Sequence, residues 1–158
     1  MATLKTQGTE IFLLDETDTG NEVRKLGQIT GGTGVGGEAG EIDVTDLDSV
    51  AMEFVTGLKD NGSISLNINW DPQNTSHQTL DALVGGPNKR FLICCSEAAT
   101  DPTFGGSPAE YTLPATRTKL DFQAGVRSFQ KDFTTDEVWR GSVTMRISGD
   151  ITITPASS

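Results

Sequence analysis

Three groupings of residues in this chain have types and spacing that could do chemistry. The first is a glycine run from Thr30 to Gly40, TGGTGVGGEAG, in which Gly32, Gly34 and Gly37 spell G-x-G-x-x-G. In a dinucleotide fold such glycines let a pyrophosphate approach a helix N-terminus. That chemistry needs a strand before the run and a helix after it. The run leads instead into Glu41-Ile42-Asp43-Val44-Thr45, which alternates like a strand, so nucleotide binding is set aside. The second grouping is the acidic set Asp43, Asp46, Asp48 and Glu53. Its spacing fails the pattern of a calcium loop, and these carboxylates read as solvated or as lining a surface where negative charge matters. The third is His77, the only histidine, which any Ser-His-Asp or Cys-His arrangement would have to use. No G-x-S-x-G context accompanies it, and it falls near the start of a predicted helix, where an exposed polar residue is ordinary. Cys94 and Cys95 are adjacent, so in a strand they point to opposite faces and read as free thiols. No CxxC or Cys/His spacing suggests zinc. The expectation is a protein with no catalytic residues, no cofactor and no metal.

The elements around these residues are mostly strands. Ser63 to Trp70 alternates cleanly, with Ile64, Leu66, Ile68 and Trp70 on one face and Ser63, Ser65, Asn67 and Asn69 on the other. Asn61-Gly62 precedes it and Phe54 to Leu58 precedes that, which predicts a hairpin with a type I′ turn. Further strands are expected at Thr9–Leu14, Val23–Ile29, Glu41–Thr45 and Lys89–Ser96, the last buried on both faces. Leu120, Phe122, Ala124 and Val126 share one phase while Phe129 and Phe133 take the other, so a bulge is expected near Gly125–Ser128. Trp139, Val143, Met145, Ile147, Ile151 and Ile153 all occupy odd positions of a final long strand. One helix is predicted from Thr75 to Val84, capped by Asn74 or Thr75, with Leu80, Leu83 and Val84 laid on the sheet. The runs Thr30–Gly40 and Thr100–Pro114 read as long irregular loops. Asp15, Glu16, Asp18 and Glu22 read as an acidic turn.

The 158 residues fit a single domain large enough for a proper core, and the formal net charge of −10 disfavours nucleic-acid binding. Met1 to Leu14 reads as neither a signal peptide nor a membrane span. The fold class expected is mainly β, an antiparallel sandwich or barrel-like core with one flanking helix.

Two segments carry a resemblance. Glu41 to Pro72, EIDVTDLDSVAMEFVTGLKDNGSISLNINWDP, and Phe122 to Thr152, FQAGVRSFQKDFTTDEVWRGSVTMRISGDIT, together resemble the major tail tube proteins of long flexible-tailed phages. The resemblance implies a structural virion protein, assembled in the host cytoplasm, whose hexameric rings stack into the tail tube. It implies partners: other copies of the chain, a tape-measure protein, terminator and tip proteins, and DNA that passes without specific binding. It implies no membrane. It further implies that the run Thr30, Gly31, Gly32, Thr33, Gly34, Val35, Gly36, Gly37, Glu38, Ala39 and Gly40 is a flexible stacking loop that orders against the next ring. Asp43, Asp46, Asp48 and Glu53 are candidates to face the lumen. The alternatives are a ring protein of a contractile injection or secretion system, a tail terminator, or a β-sandwich binding module.

Overall fold

The computed structural model describes residues 4–14, 23–104 and 111–157. In chain order these form β1 (Glu10–Leu14), β2 (Val23–Lys25), β3 (Ile29–Thr33), β4 (Glu38–Asp43), β5 (Phe54–Asp60), β6 (Ser63–Asn69), α1 (Thr75–Ala82), β7 (Lys89–Cys94), β8 (Thr103–Phe104), β9 (Tyr111–Thr112), β10 (Lys119–Asp132) and β11 (Arg140–Thr154). Seven strands make one sheet in the order β2-β1-β7-β10-β11-β6-β3, with every pairing antiparallel. The other four form two ribbons, β4-β5 and β8-β9.

Alternation decides which side chains are buried. Ile64, Leu66 and Ile68 of β6 meet Val143, Met145 and Ile147 of β11 in one core, joined by Phe122, Ala124, Val126 and Phe129 of β10. β7 is covered on both faces, as its continuous apolar run predicts. Phe91 and Ile93 enter that core, while Leu92 and Cys94 join Phe12 and Leu14 in a second cluster, against which Tyr111 packs. β10 keeps its 14 residues in one strand by slipping register twice, between Asp121 and Gln123 and between Val126 and Ser128. The second slip is the expected bulge; it turns Phe129 back inward.

α1 begins at Asn74, whose side chain accepts the Ser76 N–H at 2.9 Å. Leu80 is buried and Leu83 packs on the core, but Val84 is exposed. His77 is also corrected from the exposed position expected for it. It is fully buried, its Nδ1 accepts the Asp71 N–H at 3.0 Å, and its Nε2 lies 2.8 Å from the Gly27 carbonyl. Both ring nitrogens are therefore committed to the backbone, in a structural role. Arg117, which no sequence pattern marks, is also fully buried. It donates to the carbonyls of Gly8, Cys94, Cys95 and Thr100 and to Glu10. Burial raises the Glu10 pKa, but Lys25 and Arg117 outweigh it and the net shift is downward.

Three expected elements are corrected. Val23–Ile29 is two strands, because the chain turns at Gly27 and Gln28 between two separate edges of the sheet. Asn61-Gly62 is no type I′ hairpin turn: β5 pairs with β4 and not with β6, and of the two residues only Gly62 has a positive φ, +69°. Asp60 accepts the Gly62 N–H at 2.8 Å and makes the local turn instead. The irregular loop expected over Thr30–Gly40 is in large part strand: residues 30–33 belong to β3 and residues 38–40 to β4. Backbone pairing with β6 and β5 supplies the order that glycine side chains cannot. Within Thr100–Pro114 the described residues form β8 and β9, and residues 105–110 lie outside the described residues, as does the acidic turn from Asp15 to Glu22.

Candidate functional site

The most distinctive surface is built by four strands acting as two. β3 pairs with β6 as far as Thr33 and Ser65; the same two stretches of chain then pair again as β4 and β5, beginning at Glu38 and Asp60. The result is a two-stranded arm that leaves the main sheet and closes around residues 44–53. The Val44 N–H donates to the Glu53 carbonyl at 3.0 Å, and Asp46 accepts from the Asp48 N–H and the Ser49 hydroxyl, each at 3.0 Å. Asp43 accepts the Thr45 N–H at 2.9 Å, and hydrogen bonding from Thr45 lowers its pKa. The acidic set thus clusters at the arm, where Asp43 and Asp46 shape turns.

The arm is apolar where it should be wet. Leu47 and Val50 at the tip are fully exposed, Leu58 is 94% exposed, and Ile42, Val44, Met52, Phe54 and Val55 are all exposed too. Ile42 sits opposite Val55, and Asp43 opposite Phe54, so apolar side chains occur on both faces of the ribbon. Eight exposed large apolar side chains on one ribbon mark an interaction surface rather than scattered surface hydrophobics. A two-stranded ribbon cannot bury either of its own faces. Charge here has one sign: no lysine or arginine occurs between Lys25 and Lys59, whereas Glu38, Glu41, Asp43, Asp46, Asp48 and Glu53 all do.

An elbow sets where the arm points. Gly34 has φ +93°, and a Cβ there would fall against the Ser63 carbonyl oxygen. Across from it, Arg146 holds Asp60 through 2.9 and 2.7 Å contacts, Lys59 pairs with Asp150 at 3.1 Å, and Asn61 Nδ2 donates to the Gly149 carbonyl at 2.6 Å. The Asp60 pKa is lowered, first by the Gly62 N–H and then by Arg146; that of Asp150 is lowered, first by Lys59.

The glycines of the G-x-G-x-x-G are therefore structural, with Gly32 in β3 and Gly34 and Gly37 in the elbow. A hollow of about 510 Å³ opens between β1 and β3, walled by Thr9, Ile11, Gly31, Gly32, Val35 and Leu66 among others; among the described residues its lining is apolar or uncharged. The exposed apolar residues of the arm escape sequence reasoning because their alternation with acids imitates a half-buried strand. The available signal was the stretch of 33 residues without a cation.

A mainly antiparallel sheet with one helix and a projecting ribbon is the tail tube fold. It superposes on the tail of an empty gene transfer agent particle refined with C6 symmetry (TM-score 0.64, 15% identity, 96% of this chain and 99% of that one) and on the SPP1 tail tube (TM-score 0.67, 9% identity, 99% and 81%). Structural protein 3 of Pseudomonas phage PAJU2 is 28% identical over 159 residues, covering 98% of this chain and 96% of that protein. The lambda-like phage tail tube family matches over residues 2–157, and the chain belongs to that family. It is a structural protein of the phage tail.

Proposed function

We propose that this chain polymerises as stacked hexameric rings that form the conduit for DNA, and that the whole arm, rather than the run Thr30–Gly40 alone, is the stacking element. The observation that carries this reading is the exposed ribbon with apolar side chains on both faces. Such a surface gains free energy only when another chain covers it. The C6 symmetry of the gene transfer agent tail supports six copies per ring. The run Thr30–Gly40 supplies the elbow and the first part of one arm strand. Asp43, Asp46, Asp48 and Glu53 bring negative charge into the tube, where it repels DNA phosphates. Tape-measure and terminator proteins are the expected partners, and the protein does no catalysis.

Replacing residues 40–57 with an Asn-Gly link shortens the arm while leaving the main sheet paired. The expected result is a cooperatively melting β-rich protein that forms no tubes in negative-stain micrographs. Tubes of normal length from this variant would overturn the reading. Filaments that grow with concentration in the unmodified protein separate a tube subunit from a terminator, which caps.

A further inference from the structure

The only two tryptophans of the chain, Trp70 and Trp139, lie together with their ring centroids 5.4 Å apart. The Trp70 N–H donates to the Trp139 carbonyl at 2.9 Å, and Phe133 packs on Trp139 at 4.8 Å. The inner side of this group is anchored: Trp70 packs against the core, and Lys131 sits 5.8 Å above its ring and pairs with Asp81. Its outer side is open, with Phe133 74% and Trp139 46% exposed, and Val138, the residue before Trp139, is 60% exposed. The sequence phase of Phe133 predicts a core residue. It lies beyond the end of β10, where no strand covers it.

Position gives this patch a meaning. β6 pairs with β11 from Asn69 opposite Arg140, beside the tryptophans, to Ser63 opposite Arg146, beside the elbow. The patch and the arm therefore leave opposite ends of the same strands, about 20 Å apart. Subunits stacked head to tail make a heterologous contact, which joins two different surfaces from opposite ends of the molecule. The arm is one such surface. Outside the arm and its elbow, the other exposed large apolar side chains among the described residues are Leu4, Val84 and Ile153, each from a different part of the chain.

We propose that the Phe133–Val138–Trp139 patch seats the arm tip of a second copy, with Leu47 and Val50 packing on the aromatic rings. This rests on the reading of the arm as the stacking element and names its receptor. Aromatic residues anchored from behind and open in front are the usual centre of a protein interface. Charge adds direction. The tip carries Asp46 and Asp48 and no cation; at the patch Arg140 is largely exposed, with Glu137 at 3.9 Å and Asp132 opposite it in register, so Arg140 can offer a local contact while the segment around it also carries acids.

The test uses the full chain. Because both tryptophans sit at the seat, assembly should shift tryptophan emission to the blue. Phe133→Ser with Val138→Ser should raise the concentration needed for tubes at least tenfold while lowering the melting temperature by only a few degrees, the cost of the lost Phe133–Trp139 contact. Copies carrying Val50→Cys mixed with copies carrying Val138→Cys should form disulfide-linked dimers under oxidised glutathione; neither variant should do so alone. If the Phe133/Val138 variant assembles at the parent's concentration and the mixture does not cross-link, the seat is elsewhere. That result overturns this inference and leaves the stacking role of the arm standing, provided the shortened-arm variant forms no tubes. Tubes from the shortened-arm variant would remove both.

Discussion

Exchanging Leu47 and Val50 for serine separates what the arm tip does in the free subunit from what it does in the tube. Both side chains are fully exposed, so the folded subunit gains nothing from their contacts. Changes at such positions stay within about 0.5 kcal/mol of the parent stability. On the proposed stacking role of the arm, the same side chains are covered in the assembled tube. Full burial of a leucine or valine is worth about 1.5–3 kcal/mol, so the pair contributes about 4 kcal/mol to the addition of each subunit. At 1.4 kcal/mol per tenfold, that is close to three orders of magnitude in critical concentration; half-burial leaves about thirtyfold. The assay is light scattering or pelleting across a concentration series, paired with thermal melting well below the assembly threshold. A variant that polymerises within threefold of the parent's threshold would refute the reasoning. So would a drop of many degrees in melting temperature, because it would mean that the tip is packed in the free subunit.

Other parts of the molecule give three more expected outcomes. Arg117→Met removes the fully buried guanidinium that ties β1, the end of β7 and the Thr100 segment together, and leaves several carbonyls without a donor. The expected loss is about 3–5 kcal/mol, read as a fall of roughly 10–15 °C in melting temperature. Gly34→Ala places a Cβ against the Ser63 carbonyl at φ +93°. The backbone must shift at a cost of about 1–3 kcal/mol, and protease cleavage within the arm should accelerate while the main sheet stays folded. The elbow should also respond to acid. Asp60 and Asp150 have pKa values below their ordinary 3.8, so the contacts they make are fully present above that value and are lost as pH falls through the lowered ones. The amide-exchange protection factors in residues 38–60, corrected for the intrinsic pH dependence of exchange, should therefore be unchanged from pH 7 to 5 and fall below pH 4. Arg146→Ala should weaken this protection above pH 4 and make little further difference once Asp60 is protonated.

Much of the sheet was legible because burial alternates with period two in β6 and in the first half of β11, and because β7 reads as apolar on both faces. The bulge near Val126 was legible from a phase slip that length alone made implausible in a straight strand. Pairing was another matter. Asn-Gly is a strong local signal, yet β5 and β6 part company there. The partner of each strand is chosen by a register running from Ile29 to Asp60, which no window of ten residues contains. The same limit hid His77 and Arg117. A histidine accepting a backbone N–H and an arginine donating to four carbonyls are buried by their partners, and those partners lie up to 109 residues away.

The arm shows why the rest was hard to read. Its composition satisfies the rules for a strand, with apolar residues alternating against acids, but those rules assume that one face meets a core within the same chain. Here both faces carry apolar side chains, and among the described residues no segment covers either one. The acids then take a role that only assembly explains. Six carboxylates against the ribbon's one lysine, Lys59 near its base, make arms repel one another, which opposes arm-to-arm pairing along open ribbon edges. A different surface can offer more burial than that repulsion costs. The aromatic end provides apolar area together with Arg140, so it rewards the contact that extends a tube over the contact that merely aggregates arms. The glycines of the elbow complete the logic: Gly34 lets the backbone pass close to β6, and Asp60, Asn61 and Asp150 fix the angle at which the ribbon leaves the sheet. A stacking element held at one angle by polar clamps on its own subunit gives up less freedom when it docks, and so retains more of its burial energy as affinity.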